Sequence, residues 1–107
     1  MNKRGLLEIL AISILIFLPL TLAFSGSGEG TAGSSYNITN CTQLQEINNN
    51  LTAYYQLTSN IDCSDTINWN TGAGFIPLGN EISLFTGSFQ GNNYNISGLY
   101  INNNTRD

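Results

Sequence analysis

Few side chains in this sequence could carry chemistry, and the close pair Asp62 and Asp65 is the first candidate. Two neighbouring carboxylates could act as general acid and base on a polysaccharide, or could help to bind calcium. Alternatively, each could cap a turn at a strand end by accepting from its own backbone. Because a calcium site usually needs roughly six or more oxygen ligands and no third acid lies nearby, we expect turn capping.

The chain contains no histidine, which is the commonest general base and metal ligand. Its serines therefore lack the partner that a nucleophilic triad needs. We expect no catalytic residue, no metal site and no cofactor, and a protein that is not an enzyme.

The two cysteines, Cys41 and Cys63, are the second candidate site. An even number of cysteines in an exported chain predicts one disulfide, because the environment outside the cytoplasm is oxidising. Two free buried thiols are the alternative. A zinc site is disfavoured, since two thiolates without histidine cannot complete a tetrahedral centre.

Asparagine sequons are the third group of candidates. Five Asn-X-Ser/Thr sequons are candidate N-glycosylation sites, at Asn37, Asn40, Asn50, Asn95 and Asn103. Chance is the alternative, because the chain is rich in asparagine, serine and threonine. Asn40 has a competing role, since it precedes an apolar helical pattern and suits the helix N-cap.

The N-terminal residues have the pattern of a secretory signal. Lys3 and Arg4 precede an apolar run over residues 9–22, which small residues follow. This order predicts a signal peptide over residues 1–24, or an uncleaved anchor that would contact the membrane through residues 6–24. Both interpretations predict a secreted or cell-surface location. The Gly- and Ser-rich residues 25–35 predict a flexible linker.

The charge balance excludes nucleic acid as a partner. The chain has 3 Lys and Arg residues against 7 Asp and Glu residues, and two of the cations lie in the signal segment. Nucleic-acid binding requires clustered Lys and Arg side chains.

The sequence pattern of residues 36–107 predicts one helix and several short strands. Leu44, Ile47 and Leu51 recur at helical spacing after Asn40, which predicts a helix over residues 41–49. Strands are predicted over residues 36–38, 54–57, 61–63 and 75–79, and in the alternating tail over residues 85–101. Six aromatic residues could form a sugar-stacking platform, but we expect them to fill a core instead: Trp69, Phe75, Phe85, Phe89, Tyr94 and Tyr100. Trp69 and Tyr100 are the exceptions and are candidate surface contacts.

The order of these motifs resembles a known family. The motifs are Tyr36-x-Ile38, Cys41-Thr42-Gln43-Leu44-Gln45-x-Ile47, Tyr54-x-x-Leu57-x-x-Asn60-Ile61-Asp62-Cys63, Gly74-Phe75-Ile76-Pro77-Leu78-Gly79 and Phe85-x-Gly87-x-Phe89-x-Gly91-Asn92-x-Tyr94-x-Ile96-x-Gly98-Leu99-x-Ile101. They resemble the unit that precedes GLUG repeats in large secreted surface proteins of archaea and bacteria. The resemblance implies a mainly β fold, the start of a right-handed parallel β-helix with a short N-terminal capping helix.

The sequence also departs from that family. Gln90, Asn93 and Tyr94 stand where the family usually has Asp, Gly and often His, and the Gly-Leu-Phe-Gly step of the repeats does not occur. The resemblance therefore implies a cap and the first coil or coils, in residues 36–107, and not the repeat array itself. In that arrangement a Cys41–Cys63 disulfide would tie the capping helix to the strand beneath it.

The resemblance further implies a non-enzymatic cell-surface protein with a structural or adhesive role in the envelope. Because open strand edges need further sheet, we expect its partners to be downstream coils of the same longer chain, with cell-surface glycans or envelope proteins as further candidates. One alternative is the start of a polysaccharide-cleaving β-helix enzyme whose catalytic residues lie beyond Asp107. The other is a small secreted binding module that is complete in itself.

Overall fold

A computed structural model of the chain describes residues 23–102. The predicted signal peptide therefore falls almost wholly outside the described residues, and within them no helix has both the length and the apolar character needed to cross a membrane. The elements in chain order are β1 (Tyr36–Ile38), α1 (Cys41–Gln45), a first 3₁₀ helix (Glu46–Asn49), β2 (Tyr54–Leu57), β3 (Ile61–Asp62), a second 3₁₀ helix (Ser64–Gly72), β4 (Ser88–Gln90) and β5 (Ile96–Ser97).

The strands form two small parallel sheets. The first sheet has the order β1-β2-β4 and the second pairs β3 with β5. Parallel neighbours cannot be joined by a tight hairpin, so the chain must cross over before each return. Helix α1 lies in the crossover from β1 to β2, and the second 3₁₀ helix lies in the crossover from β2 to β4. This order is compatible with a β-helix. Because the strands are short and both sheets are open, the β-helix remains a prediction.

The helix begins where the sequence predicted it. Asn40 has an extended backbone, with φ −153°, and its side chain accepts from the backbone N–H of Gln43 at 2.8 Å. The Gln43 side chain in turn accepts from the backbone N–H of Thr39 at 2.8 Å. Cys41, Leu44 and Ile47 form the buried face. The helix predicted over residues 41–49 is therefore confirmed, with its second half tightened into a 3₁₀ helix.

The chain makes two passes through the sheets: residues 36–79 form the first pass, with β1, β2 and β3, and residues 80–102 form the second pass, with β4 and β5. The core lies between α1 and the strands of the first pass. It contains Ile38, Cys41, Leu44, Ile47, Ala53, Tyr55, Leu57, Ile61, Cys63 and Phe75. Within the described part of the chain, every buried polar side-chain atom has a hydrogen-bond partner. The core is therefore small but free of unpaired polar groups, whose burial would be destabilising.

Tyr55 is the largest fully buried side chain of this core. Its hydroxyl donates to the Asn50 carbonyl oxygen at 2.7 Å. Burial raises its pKa from 10.0 to about 12, and the nearby Tyr36 and Glu46 side chains add to this effect. The folded protein therefore holds the phenol proton more tightly than the unfolded chain does.

This difference predicts an alkaline loss of stability. The free energy of unfolding should not depend on Tyr55 ionisation below about pH 10, and should fall as the pH rises from about 10 towards about 12. Urea unfolding across this range measures the slope. Tyr55→Phe should remove the part of the slope due to Tyr55, at a neutral-pH cost of about 1 kcal/mol for the lost hydrogen bond. An equal slope in both proteins would contradict this assignment.

Residues 75–79 do not form the predicted strand, which is a correction to the sequence analysis. Side chains of the helical segment take up their backbone groups instead. Gln45 accepts from the Ile76 N–H at 2.7 Å and donates to the Ile76 carbonyl at 3.0 Å. Asn48 bonds in the same way to the Pro77 carbonyl and the Gly79 N–H. Because Pro77 lacks an N–H donor, this segment suits side-chain pairing better than a sheet ladder.

Residues 25–35 differ from the flexible linker that their composition predicted. Ser25 donates to the Glu46 carboxylate through its backbone N–H at 2.8 Å and its hydroxyl at 2.6 Å. Further along, the carbonyl of Gly30 accepts from the N–H of Tyr54 at 3.0 Å. Gly30 has φ +77°, and a Cβ there would overlap the Tyr36 ring. The glycine therefore serves a close approach of the chain to an aromatic ring, and the folded region begins earlier than residue 36.

Candidate interface at the uncovered strand edges

The two edges of the first sheet are protected to different degrees. Beyond β1, the N–H of Asn37 donates to the Ser27 carbonyl at 2.9 Å, so the N-terminal segment lies along this edge. On the other side, β4 is the last strand of the sheet among the described residues. An edge strand presents unpaired N–H and C=O groups that can template further pairing. The sheet therefore has one covered edge and one edge available for association.

Burial changes sharply between the two passes of the chain. Tyr55 of β2 is aligned with Phe89 of β4, and Ile61 of β3 with Ile96 of β5. Aligned residues of parallel strands lie on the same face of their sheet. Nevertheless Tyr55 is 1% exposed and Phe89 is 38% exposed, while Ile61 is 2% and Ile96 is 37% exposed. The second pass repeats the apolar pattern of the first without the cover that the first receives.

Six apolar residues of this second pass form what we call the end face. Each is between 37% and 45% exposed: Phe85, Phe89, Tyr94, Ile96, Leu99 and Ile101. The prediction that the aromatic residues fill the core is confirmed for Phe75 alone and is wrong for Phe85, Phe89 and Tyr94. The physical reason is that a side chain is buried only where other elements pack against it, and among the described residues β4 has a neighbouring strand on one side only.

The chemistry of the end face is that of association. Residues 82–105 contain no charged side chain, so neither repulsion nor desolvation of charge opposes the approach of another apolar surface. Exposed apolar patches of this kind commonly mark interaction sites. The end face offers apolar contact and strand pairing, and has no charged group that could bind a metal or move a proton.

The predicted disulfide is present in the structure. Cys41 at the start of α1 is bonded to Cys63 directly after β3, with the Cα atoms 5.2 Å apart. Both residues are buried. The bond joins the start of α1 to the residue that follows β3.

The turn capping predicted for the acid pair is seen for Asp62 and not for Asp65, which accepts from side chains and not from the backbone. Asp62 accepts from the Ser64 backbone N–H at 2.9 Å, and this hydrogen bond holds the pKa of its carboxyl below the usual value. Asp65 accepts from the side chains of Asn68 and Trp69 at 3.1 Å and 3.2 Å. Among residues 23–102, no three His, Cys, Asp or Glu side chains lie close enough to hold a metal ion. The expected absence of metal and catalysis stays a prediction.

The sequons occupy very different settings, and their glycosylation stays a prediction. Asn37 donates to Ser27 and accepts from Gln56, so both ends of its amide are engaged. Asn40 caps α1, and Asn50 accepts from the backbone and hydroxyl of Thr52. Asn95 is exposed. The remaining sequon, at Asn103, lies outside the described residues.

A ladder of side-chain amides was missed by the sequence reasoning. Gln56 donates to the Asn37 side chain at 2.7 Å and accepts from the Asn92 side chain at 3.2 Å. Asn92 also donates to the Leu57 carbonyl at 2.9 Å. The ladder links β1, β2 and the turn after β4. Its members are 19 and 36 positions apart in the chain, and only the register of the parallel strands brings them together.

The two candidate surface aromatics are both half-buried. Trp69 packs nearly parallel to Phe75, with 6.3 Å between ring centroids, and its indole N–H donates to Asp65. The backbone N–H of Tyr100 donates to the Thr66 hydroxyl at 2.9 Å, while its carbonyl accepts from Phe75 at 2.8 Å. These contacts attach the last described segment to the first pass.

Comparison with known proteins finds two curated relatives. Over 80 residues the chain is 41% identical to Halomucin of Haloquadratum walsbyi. This match covers 69% of this chain and 1% of Halomucin. Over 81 residues it is 35% identical to a protein of Evansella cellulosilytica described provisionally as a Gly-rich membrane protein, covering 74% of this chain and 9% of that protein. No family model and no solved structure matches.

The chain thus spans a small part of the relatives it matches. One relative is named Halomucin and the other is described as a membrane protein. Their similarity to this chain supports the extracytoplasmic or membrane location that the N-terminal residues predicted. This chain is related to proteins of the cell surface or membrane.

Proposed function

We propose that this chain is the capped start of a right-handed parallel β-helix on the cell surface, and that further coils of a longer protein continue from its end face. Its role is then structural or adhesive within the envelope and not enzymatic. The observation that carries the proposal is the contrast in burial between aligned residues of the two passes. Tyr55 and Ile61 are covered, whereas Phe89 and Ile96 are not.

Because the β1 edge of the first sheet is covered, further coils would be added from the β4 edge. Residues 25–35 and α1 protect the side of β1, and the Cys41–Cys63 bond fixes α1 to the segment after β3. A solenoid needs such a cap at each end, because an open terminal coil would expose its strand edge. The low coverage of both relatives, 1% and 9%, fits a short cap within much longer proteins.

The expected gain from covering the end face is appreciable. Full burial of a large apolar side chain contributes about 1.5–3 kcal/mol, and the six residues retain roughly two fifths of their exposure. Complete cover would therefore add about 4–7 kcal/mol, by the same transfer scale. For a small domain of marginal stability this is enough to make a further coil favourable.

The end face predicts association of the exported chain in the absence of a covering coil. Sedimentation should show self-association at micromolar concentrations, and a dye for apolar surfaces should bind. Phe89→Ser combined with Ile96→Ser should weaken association about tenfold or more, because each removes about 1 kcal/mol of apolar contact.

Ile67→Ser is the matched control, since Ile67 is 55% exposed but lies in the second 3₁₀ helix and not on the end face. It should leave association unchanged. A wild-type protein that is monomeric, resistant to protease and free of bound dye would instead favour the small binding module that is complete in itself.

A further inference from the structure

A second surface, separate from the end face, lies beside the capping helix. A groove of about 510 Å³ runs between the helical segment of residues 41–49 and the C-terminal part of the second 3₁₀ helix. Its helical wall consists of Thr42, Gln45, Glu46 and Asn49, and the opposite wall includes Trp69 and Asn70. The four helical residues follow the spacing i, i+3, i+4, i+7, which places them on one face. The opposite, buried face of this segment is formed by Cys41, Leu44 and Ile47.

The aromatic wall of the groove is held in place. The indole N–H of Trp69 donates to Asp65, and Phe75 packs nearly parallel to its ring. Asn70 and Thr71 have φ values of 52° and 55°, a region that costs non-glycine residues about 1 kcal/mol or more each. Hydrogen bonds from Gly74 to the Trp69 carbonyl and from the Asn70 side chain to the Gly74 carbonyl close this loop. The indole is thus positioned before any ligand arrives.

The polar groups of the groove are mostly uncharged. Thr42 and Asn49 are exposed and supply a hydroxyl and a carboxamide. Glu46 is the one charged residue of the lining, and its carboxylate already accepts two hydrogen bonds from Ser25. A groove with no cationic side chain does not suit phosphate or carboxylate ligands. An aromatic wall with a few convergent uncharged polar groups suits a ligand that is apolar on one side and rich in hydroxyls on the other.

We propose that this groove binds neutral hexopyranose oligosaccharides. The C–H face of one sugar ring would lie against the Trp69 indole, while its hydroxyls would hydrogen-bond to the Thr42 hydroxyl and the Asn49 amide. The proposal goes beyond the structural role of the end face and does not depend on it.

The single tryptophan of the chain provides a direct readout. The full chain is titrated with three neutral hexasaccharides, cellohexaose, hexa-N-acetylchitohexaose and mannohexaose, while tryptophan emission is recorded. At least one of these probes should give a saturable change with a Kd below about 1 mM. Thr42→Ala and Asn49→Ala should each raise that Kd about three- to tenfold, the loss expected for one uncharged hydrogen bond.

Thr58→Ala is the matched control, because Thr58 is exposed and does not line the groove. It should leave the Kd unchanged, as should the end-face variant with Phe89→Ser and Ile96→Ser. The proposal is overturned if none of the three sugars changes the emission in a saturable way up to about 10 mM. It is equally overturned if the control raises the Kd as much as the groove variants do.

Discussion

Replacing Cys41 and Cys63 together with alanine should lower the free energy of unfolding by about 3 kcal/mol. The bond closes a loop with a sequence separation of 22 residues, and opening it restores conformational freedom to the unfolded chain. The loop contains α1, β2, β3 and most of the core residues. Loss of about 3 kcal/mol is a large part of the stability of a domain this small.

Urea unfolding of the oxidised wild type and of the double variant measures this difference. Reduction of the wild type should produce a similar loss, whereas the reductant should leave the double variant unchanged. Labelling of both thiols in the exported native protein, or equal stability of the two proteins, would show that the disulfide does not hold the cap.

Gly87→Ala should destabilise the fold by about 2–3 kcal/mol through overpacking. The Gly87 N–H donates to the Leu51 carbonyl at 3.0 Å, and the next residue, Ser88, donates to the Ala53 carbonyl at 3.1 Å. A Cβ at position 87 would overlap the Ala53 carbonyl oxygen. Since that oxygen belongs to the backbone, β4 would have to move away from β2. The second pass would then lose its register on the first.

Gly91→Ala is the matched control, because a Cβ there meets nothing within 4 Å. The two glycines flank the same strand, β4, on either side. Gly91→Ala should change stability by no more than about 0.5–1 kcal/mol, in the stabilising direction if the backbone is compatible. Thermal unfolding of both variants tests the contrast. Equal destabilisation by the two substitutions would mean that the contact between Gly87 and Ala53 is not what limits β4.

The strand that the sequence wrongly predicted over residues 75–79 shows how distant partners override local pattern. Its apolar residues suit a strand, but the Gln45 and Asn48 side chains, about thirty positions earlier, take its backbone groups. Similarly, residues 25–35 have the composition of a linker, yet Tyr36 and Tyr54 hold them against the first sheet. Local composition reports which conformations a segment can adopt, whereas partners far along the chain decide which one is populated.

The groove beside the helix was outside the reach of sequence reasoning for a similar reason. Trp69 was recognised as a candidate surface contact, but nothing in its neighbourhood indicated that Thr42 and Asn49 would face it. The helical spacing of the polar residues was visible in the sequence. Their juxtaposition with the tryptophan depends on how the chain returns after β3, since the packing of the second 3₁₀ helix against the segment of residues 41–49 is a tertiary contact.

The sequence by itself determined the features that depend on short-range chemistry. The N-cap at Asn40, the helix over residues 41–49 and the first three strands follow from capping and periodicity over a few residues, and the cysteine pairing follows because only two cysteines exist. The tertiary structure alone decided which apolar residues are covered. Phe89 and Tyr55 occupy aligned positions of neighbouring parallel strands. Tyr55 is buried because it has packed neighbours on both sides, whereas Phe89 has them on one side and stays exposed.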